Sequence, residues 1–150
     1  MDRAIKTVLI GGGLLLAYNM FSRKVAAATL NFLPGQLKRL STDGATPVLT
    51  IGVIIQNTSN QSYQLNSLAG NVYANNDGNV YNVGNVSTFT VQQILPNRQQ
   101  EIVVDMRLSL TGIVSDLLNS IANGFGQDIQ FKGYANVDGL QIPIVINYKL

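Results

Sequence analysis

Residues 101–110, EIVVDMRLSL, place an apolar side chain at every second position. Side chains alternate between the two faces of a β-strand, so this stretch predicts a strand with one face in a core and the other towards solvent. Glu101, Asp105 and Arg107 fall on the solvent side, where Asp105 and Arg107 are expected to form an exposed ion pair. The core side consists of Ile102, Val104, Met106, Leu108 and Leu110.

The same period recurs on both sides of this stretch. Residues 48–56 alternate, and Asp138-Gly139 forms a two-residue hairpin turn between two further alternating runs. Asn, Asp, Gly and Pro favour the backbone angles that turns need, so their clusters divide the chain into about seven strands. The other predicted strand regions are 63–74, with a break near Asn66 and Ser67, 79–83, 86–95, 128–137 and 140–148, and the other turns are 57–60, 75–78 and 96–97.

The period changes to that of a helix in residues 111–123. Apolar residues recur there at spacings of three and four, with Thr111 placed to cap the start and Gly124 the end. One late helix among antiparallel strands predicts a mainly β domain at residues 47–150. Its expected architecture is a β-sandwich of about seven strands with Greek-key-like connections and one short crossover helix.

Residues 7–22, TVLIGGGLLLAYNMFS, carry no charge. A helix of this length spans about 24 Å, less than the roughly 30 Å of a bilayer's hydrocarbon core, but flanking basic side chains extend its reach by snorkelling. We therefore predict an N-terminal hydrophobic α-helix within residues 1–33, acting as a membrane anchor or assembly helix. Its apolar residues are Val8, Leu9, Ile10, Leu14, Leu15, Leu16, Tyr18 and Phe21, and its flanking basic residues are Arg3, Lys6, Arg23 and Lys24.

Two other interpretations of this segment stay open. A cleaved signal peptide also has a basic start and an apolar run, and residues 26–28 (AAA) resemble a cleavage site, although Arg23 and Lys24 lie between the run and that site. A helix buried against protein has the same apolar pattern, so residues 7–22 do not distinguish lipid from protein. Pro34 and Gly35 end the segment, and polar residues make 34–46 a predicted linker.

The composition removes most catalytic and metal-binding chemistry. The chain has no His and no Cys, which excludes Ser-His-Asp and Cys-His arrangements, thiolate zinc sites and disulfides. Asp77 and Asp138 occupy predicted turns, where aspartate is favoured for backbone reasons. We therefore expect no enzyme activity, no catalytic residues, no metal site, no cofactor and no small-molecule substrate.

The charges divide the chain into two parts. Residues 1–40 hold six basic side chains and one acidic side chain, whereas residues 41–150 hold four basic and seven acidic ones. A basic leader favours contact with a membrane surface or another polyanion. The domain has no basic stripe with interleaved aromatics, so specific nucleic-acid binding is not expected.

Three motifs follow one another in a familiar order. Residues 49–57 form an apolar alternating run that ends in Asn57, residues 130–133 form a strand that ends in Gly133, and Pro143 lies in a closing Ile-Pro-Ile strand. With the helix between them, they resemble the late-embryogenesis-abundant group 2 domain, also called the water-stress and hypersensitive-response domain, over about residues 45–150. The family usually has Pro where this chain has Thr58. The resemblance implies a fibronectin-III- or immunoglobulin-like sandwich and an interaction or protective role, often on a membrane anchor, with no catalytic residues to carry over.

Two functions fit these observations. The first is a non-enzymatic structural protein, a membrane- or shell-anchored β-sandwich in a large multi-copy assembly, with a bacteriophage virion as the expected setting. Its partners are then membrane lipid, neighbouring protein subunits or both. The second is a binding or stress-protective module anchored in a bacterial cell envelope. Both place the protein at a membrane, and they differ in copy number and symmetry.

Overall fold

The computed structural model describes residues 30–76, 78–89, 91–109, 112–123 and 127–150. The predicted N-terminal helix lies outside these ranges apart from residues 30–33, so it stays a prediction. The elements are strands β1 (Asn31–Asp43), β2 (Thr46–Asn57), β3 (Tyr63–Asn76), β4 (Asn79–Thr88), β5 (Gln92–Ile94), β6 (Arg98–Leu108), β7 (Asp128–Val137) and β8 (Leu140–Lys149), and helix α1 (Gly112–Ala122).

The strands pair in one continuous antiparallel sheet. Their order is β1-β2-β6-β4-β3-β7-β8, and the short β5 pairs with the start of β3. Two ladders run uninterrupted over ten residue pairs each: β2 with β6, from Val48 opposite Arg107 to Asn57 opposite Arg98, and β7 with β8, from Asp128 opposite Lys149 to Val137 opposite Leu140. β4 pairs with β6 only through residues 84–86. The half of the sheet formed by β1, β2 and β6 is therefore least constrained there relative to the half formed by β4, β3, β7 and β8.

β1 occupies most of the segment that the sequence predicts as a linker, residues 34–46, and begins within the predicted helical region 1–33. Most of its side chains are exposed, and register shifts next to Pro34 and Leu37 interrupt its ladder with β2. An edge strand tolerates Pro and needs little apolar alternation, because it has a partner on one side only and one face in solvent. The linker prediction is corrected accordingly: polar residues there form an edge strand.

The core lies on the inner face of the curled sheet. Leu49, Ile51 and Val53 of β2 are completely buried, and Met106 of β6 faces the same core. The alternation predicted for β6 is therefore confirmed, and in β2 the predicted core residues are buried, although residues 47–53 are buried on both faces of the strand. Each such side chain contributes about 1.5 to 3 kcal/mol through burial. The other fully buried large side chains are Ile55, Tyr63, Leu65, Leu68, Val72, Ile94, Phe131 and Ile146.

The curl brings the last strand against the second. The hydroxyl of Tyr148 in β8 donates a hydrogen bond to the carbonyl oxygen of Gly52 in β2, at 3.0 Å. These residues are 96 positions apart in the chain, and their strands are not neighbours in the pairing order. Burial raises the pKa of the Tyr148 phenol above its ordinary value, because the charged form loses its hydration. The bond joins parts of the sheet that the ladders leave apart.

The helix predicted at residues 111–123 and the hairpin turn predicted at Asp138 and Gly139 are confirmed, while the predicted helix caps, Thr111 and Gly124, lie outside the described residues. α1 follows β6 and packs Leu117 into the core. Asp138 and Gly139 have φ angles of 51° and 83°, as a two-residue turn between β7 and β8 requires. The structure thus shows a mainly β, antiparallel architecture with one short late helix. Because the strands pair in a single path, the two packed sheets of a sandwich stay a prediction.

Candidate functional site

Asn57 organises one end of the sheet. It ends β2, has 1% of its surface exposed and uses both groups of its side-chain amide. Nδ2 donates to the carbonyl oxygens of Gln61 (2.8 Å) and Leu95 (3.0 Å). Oδ1 accepts from the Ser59 backbone N–H (3.0 Å) and hydroxyl (2.7 Å). A buried amide that makes all of its hydrogen bonds fixes the path of both loops that it contacts.

These two loops also bind each other. The Asn97 backbone N–H donates to the carbonyl oxygen of Ser59 (3.0 Å), and Asn97 Nδ2 donates to Asn60 Oδ1 (3.1 Å). Residues 57–62, after β2, and residues 91–97, before β6, therefore form one connected unit.

Two more parts of the chain meet this unit. Asp138 exchanges hydrogen bonds with the start of β3: its N–H donates to the Gln64 carbonyl oxygen (2.9 Å), and its carboxylate accepts from the Gln64 N–H (3.2 Å). β1 also begins here, and Asn31 Nδ2 donates to Gln56 Oε1 (3.2 Å). The first strand of the domain therefore starts beside the loops that Asn57 holds.

These elements distinguish two ends of the sheet. The proximal end comprises the start of β1, residues 57–62, residues 91–97 and the turn at Asp138 and Gly139. The distal end comprises the β1–β2 turn, α1, the start of β7 and the end of β8.

Two open grooves lie at the proximal end. One, of about 300 Å³, is formed by the turn after β2 and the start of β6, and the other, of about 420 Å³, is formed by residues 62–64 with Val91, Gln93 and Asp138. Amide and hydroxyl groups line both grooves together with apolar surface of similar extent, and these polar groups suit hydrogen bonding to a partner surface. A third groove, of about 410 Å³, lies at the distal end and includes Tyr148.

The polar face of β6 pairs differently from the sequence prediction. Arg107 Nη2 lies 2.7 Å from Asp43 Oδ2, and the Thr50 hydroxyl donates to Asp105 Oδ1 (2.7 Å). The predicted Asp105–Arg107 pair is therefore wrong: Arg107 pairs with Asp43 of β1, which lies within its reach across β2, and Asp105 accepts from Thr50 of β2. A second ion pair joins Lys38 Nζ of β1 to Glu101 Oε1 at 2.6 Å. Both pairs cross β2 and join β1 to β6.

The predicted motif residues do not form one site. Gly133 of β7 lies opposite Gly70 of β3, and a Cβ atom on Gly133 would collide with the Ala69 carbonyl oxygen, so this glycine permits close pairing of the strands. Pro143 is exposed on β8, opposite Tyr134, and β8 ends the pairing order, as an edge proline requires. Asn57 is far from both in the pairing order and belongs to the proximal end.

The predicted anchor residues and the basic residues flanking them lie outside the described residues. Within the described ranges, no helix is long and apolar enough to cross a membrane. In the same ranges, Asp and Glu residues nowhere form a group of three that suits a metal ion.

Comparisons with known proteins give a distant structural similarity. No protein-family profile matches the chain, and no curated protein does. Among solved structures, a crystal structure of a protein from Archaeoglobus fulgidus is similar, with a TM-score of 0.48 and 10% sequence identity over 81% of this chain and 92% of that chain.

Proposed function

We propose that this chain is a non-enzymatic structural protein whose N-terminal segment anchors a β domain to a membrane or protein shell, as a multi-copy virion component. The observation that carries the proposal is the start of β1. Asn31 lies at the proximal end, so a tether ahead of Leu30 holds that end, and no other, towards the anchoring surface.

The tether is short because residues 34–46 belong to the sheet. Six residues, 25–30, lie between Lys24, which borders the apolar segment, and Asn31, so seven Cα-to-Cα steps join the two. An extended chain covers at most about 3.5 Å per residue, so the sheet begins within about 25 Å of the basic border. A domain held this closely samples few orientations, which suits fixed packing against neighbouring subunits.

The outer face of the sheet carries apolar side chains that suit such packing. Val103, Tyr134 and Val145 are 55%, 57% and 51% exposed, although each lies in a strand. They stand among amide side chains, as in the Gln130–Asn147 hydrogen bond (3.0 Å). Such residues would supply the apolar part of a contact where a neighbouring subunit covers them.

An envelope-anchored module related to the late-embryogenesis-abundant group 2 domain is the second candidate. The observation in its favour is the pair of grooves at the proximal end, which are lined by polar and apolar groups together and suit a binding role. The two functions differ in stoichiometry, because a structural subunit occurs in many fixed copies and an envelope module in few.

Density-gradient fractionation of the native source tests both. Mass spectrometry would follow this chain through the gradient with and without detergent. Co-sedimentation with a particle of fixed composition is expected, and release by detergent would indicate a lipid anchor. Recovery only in cell-envelope fractions at low copy number would contradict the virion proposal and favour the envelope module.

A further inference from the structure

Two apolar side chains are exposed on the segment between β4 and β5. Phe89 is 75% exposed, the highest value among the large apolar side chains of the described residues, and Val91 is 58% exposed. An isolated exposed valine is common on protein surfaces, but a phenylalanine with three quarters of its surface in water is not, since aromatic burial dominates core and interface energetics.

The strand register places this segment in the proximal part of the sheet. β4 ends at Thr88, opposite Leu68, and β5 begins at Gln92, opposite Leu65. β3 runs from Tyr63 to Asn76, so both partner positions lie in its first half. Val91 also lines the groove that contains Asp138, which belongs to the proximal end.

The charge balance differs modestly between the two ends. The proximal end has the exposed Arg98 and the exposed Asp138, together with the exposed amides of Gln92, Gln93 and Asn97. At the distal end, aspartates outnumber basic residues: Asp43, Asp116 and Asp128 lie there with Arg107 and Lys149. An anionic lipid surface repels net negative charge, so the balanced proximal end meets it less unfavourably than the distal end does.

We propose that Phe89 and Val91, with Arg98 at the same end of the sheet, form a second lipid contact that seats the proximal end of the domain on the membrane. This rests on the lipid-anchored form of the proposed function. The two apolar side chains enter the boundary between headgroups and acyl chains, the amides hydrogen-bond to headgroups, and the guanidinium approaches phosphate. A protein neighbour is the competing occupant. Lipid is favoured because the tether and the apolar pair lie at the same end of the sheet.

The chain has no tryptophan, so a single introduced tryptophan reports on one site. The full chain would be reconstituted into vesicles of phosphatidylcholine and phosphatidylglycerol with brominated acyl chains, which quench tryptophan on contact. Phe89→Trp and, separately, Val91→Trp are expected to show blue-shifted and quenched emission. The matched control is Val80→Trp, at the distal start of β4 and 65% exposed, which should remain unquenched.

A third variant, Tyr18→Trp, reports on the predicted anchor, and the combination separates the two proposals. Quenching at position 89 above that at position 80 supports the second contact, whatever position 18 shows. Equal quenching at positions 89 and 80 overturns it. In that case, quenching at position 18 would still support the predicted lipid anchor. Unquenched emission at position 18 would contradict the lipid anchor as well.

Discussion

At the residue scale, Asn57 shows how a motif residue acquires a physical role. The sequence predicts a turn at residues 57–60, and the family resemblance singles out Asn57. Neither prediction indicates that the Asn57 side chain is buried. The structure gives the reason for an amide here: it has the two donors and two acceptor positions that the loops around it require. No local pattern could show this, since Leu95 is 38 positions away.

Replacing Asn57 by Ala should destabilise the domain strongly. The carbonyl oxygens of Gln61 and Leu95 and the N–H of Ser59 lose a partner in a place that water reaches poorly. Such losses cost at least about 2 kcal/mol of the free energy of unfolding. Urea denaturation of the detergent-solubilised chain, followed by circular dichroism, measures the change.

The matched control is Asn60→Ala in the same loop. Asn60 is exposed and accepts one hydrogen bond, from Asn97, so its loss should change the free energy of unfolding by less than about 0.5 kcal/mol. Equal effects of the two variants would contradict the role given to Asn57.

At the element scale, β1 was the strand that the sequence did not reveal. Periodicity identified β2, β6, β7, β8 and α1 because each has a face in the core. β1 has only Phe32 and Leu37 packed against the core, and its remaining contacts are polar and depend on distant strands. The break between β4 and β5, within predicted strand 86–95, was missed for a similar reason: both segments pair with β3, and pairing is not a local property.

β1 approaches β2 closely at Gly35. A Cβ atom on Gly35 would lie 2.7 Å from the backbone carbon and oxygen of Gly52, and 2.9 Å from Glu101 Oε2. Gly35→Ala should therefore push β1 away from β2, at a cost of about 1 to 3 kcal/mol. Hydrogen exchange should show faster exchange of β1 amides, while the β7–β8 ladder keeps its protection.

Gly52→Ala is the informative comparison. Its Cβ atom would meet the end of the Glu101 side chain first, at 2.7 Å from Oε2, and that side chain can move. We expect a smaller loss of β1 protection than in Gly35→Ala, with the Lys38–Glu101 ion pair disturbed. A larger loss in Gly52→Ala would show that the carboxylate, and not the backbone contact, positions β1.

At the scale of the whole molecule, the hydroxyl of Tyr148 ties the curled sheet together. The sequence placed Tyr148 on the apolar face of the last strand, but nothing in it indicated Gly52 as the partner. Tyr148→Phe should lower the free energy of unfolding by about 1 to 2 kcal/mol, because the carbonyl oxygen of Gly52 loses a buried hydrogen bond.

The pH dependence provides a second readout of this variant. Burial raises the pKa of Tyr148 in the folded chain, so the stability linked to its proton is fully present below the ordinary tyrosine pKa of about 10. It is lost as pH rises above that value, because the unfolded chain then gives up its proton more readily. The alkaline decline should be shallower in Tyr148→Phe. Tyr134→Phe, which changes an exposed residue, should leave stability at neutral pH unchanged.

The position of Asn31 also determines how the domain carries mechanical load. Force that arrives through the chain ahead of Leu30 enters at one tip of β1, whose other tip turns directly into β2. The hydrogen bonds between these strands lie across the strand axis, so tension along β1 shears all of them at once. A sideways pull instead peels them apart one after another, starting at Asn31. The domain therefore resists force along β1 strongly and force across β1 weakly. The tilt of the domain on the supporting surface determines whether a force on the assembly shears the β1–β2 hydrogen bonds or peels them apart.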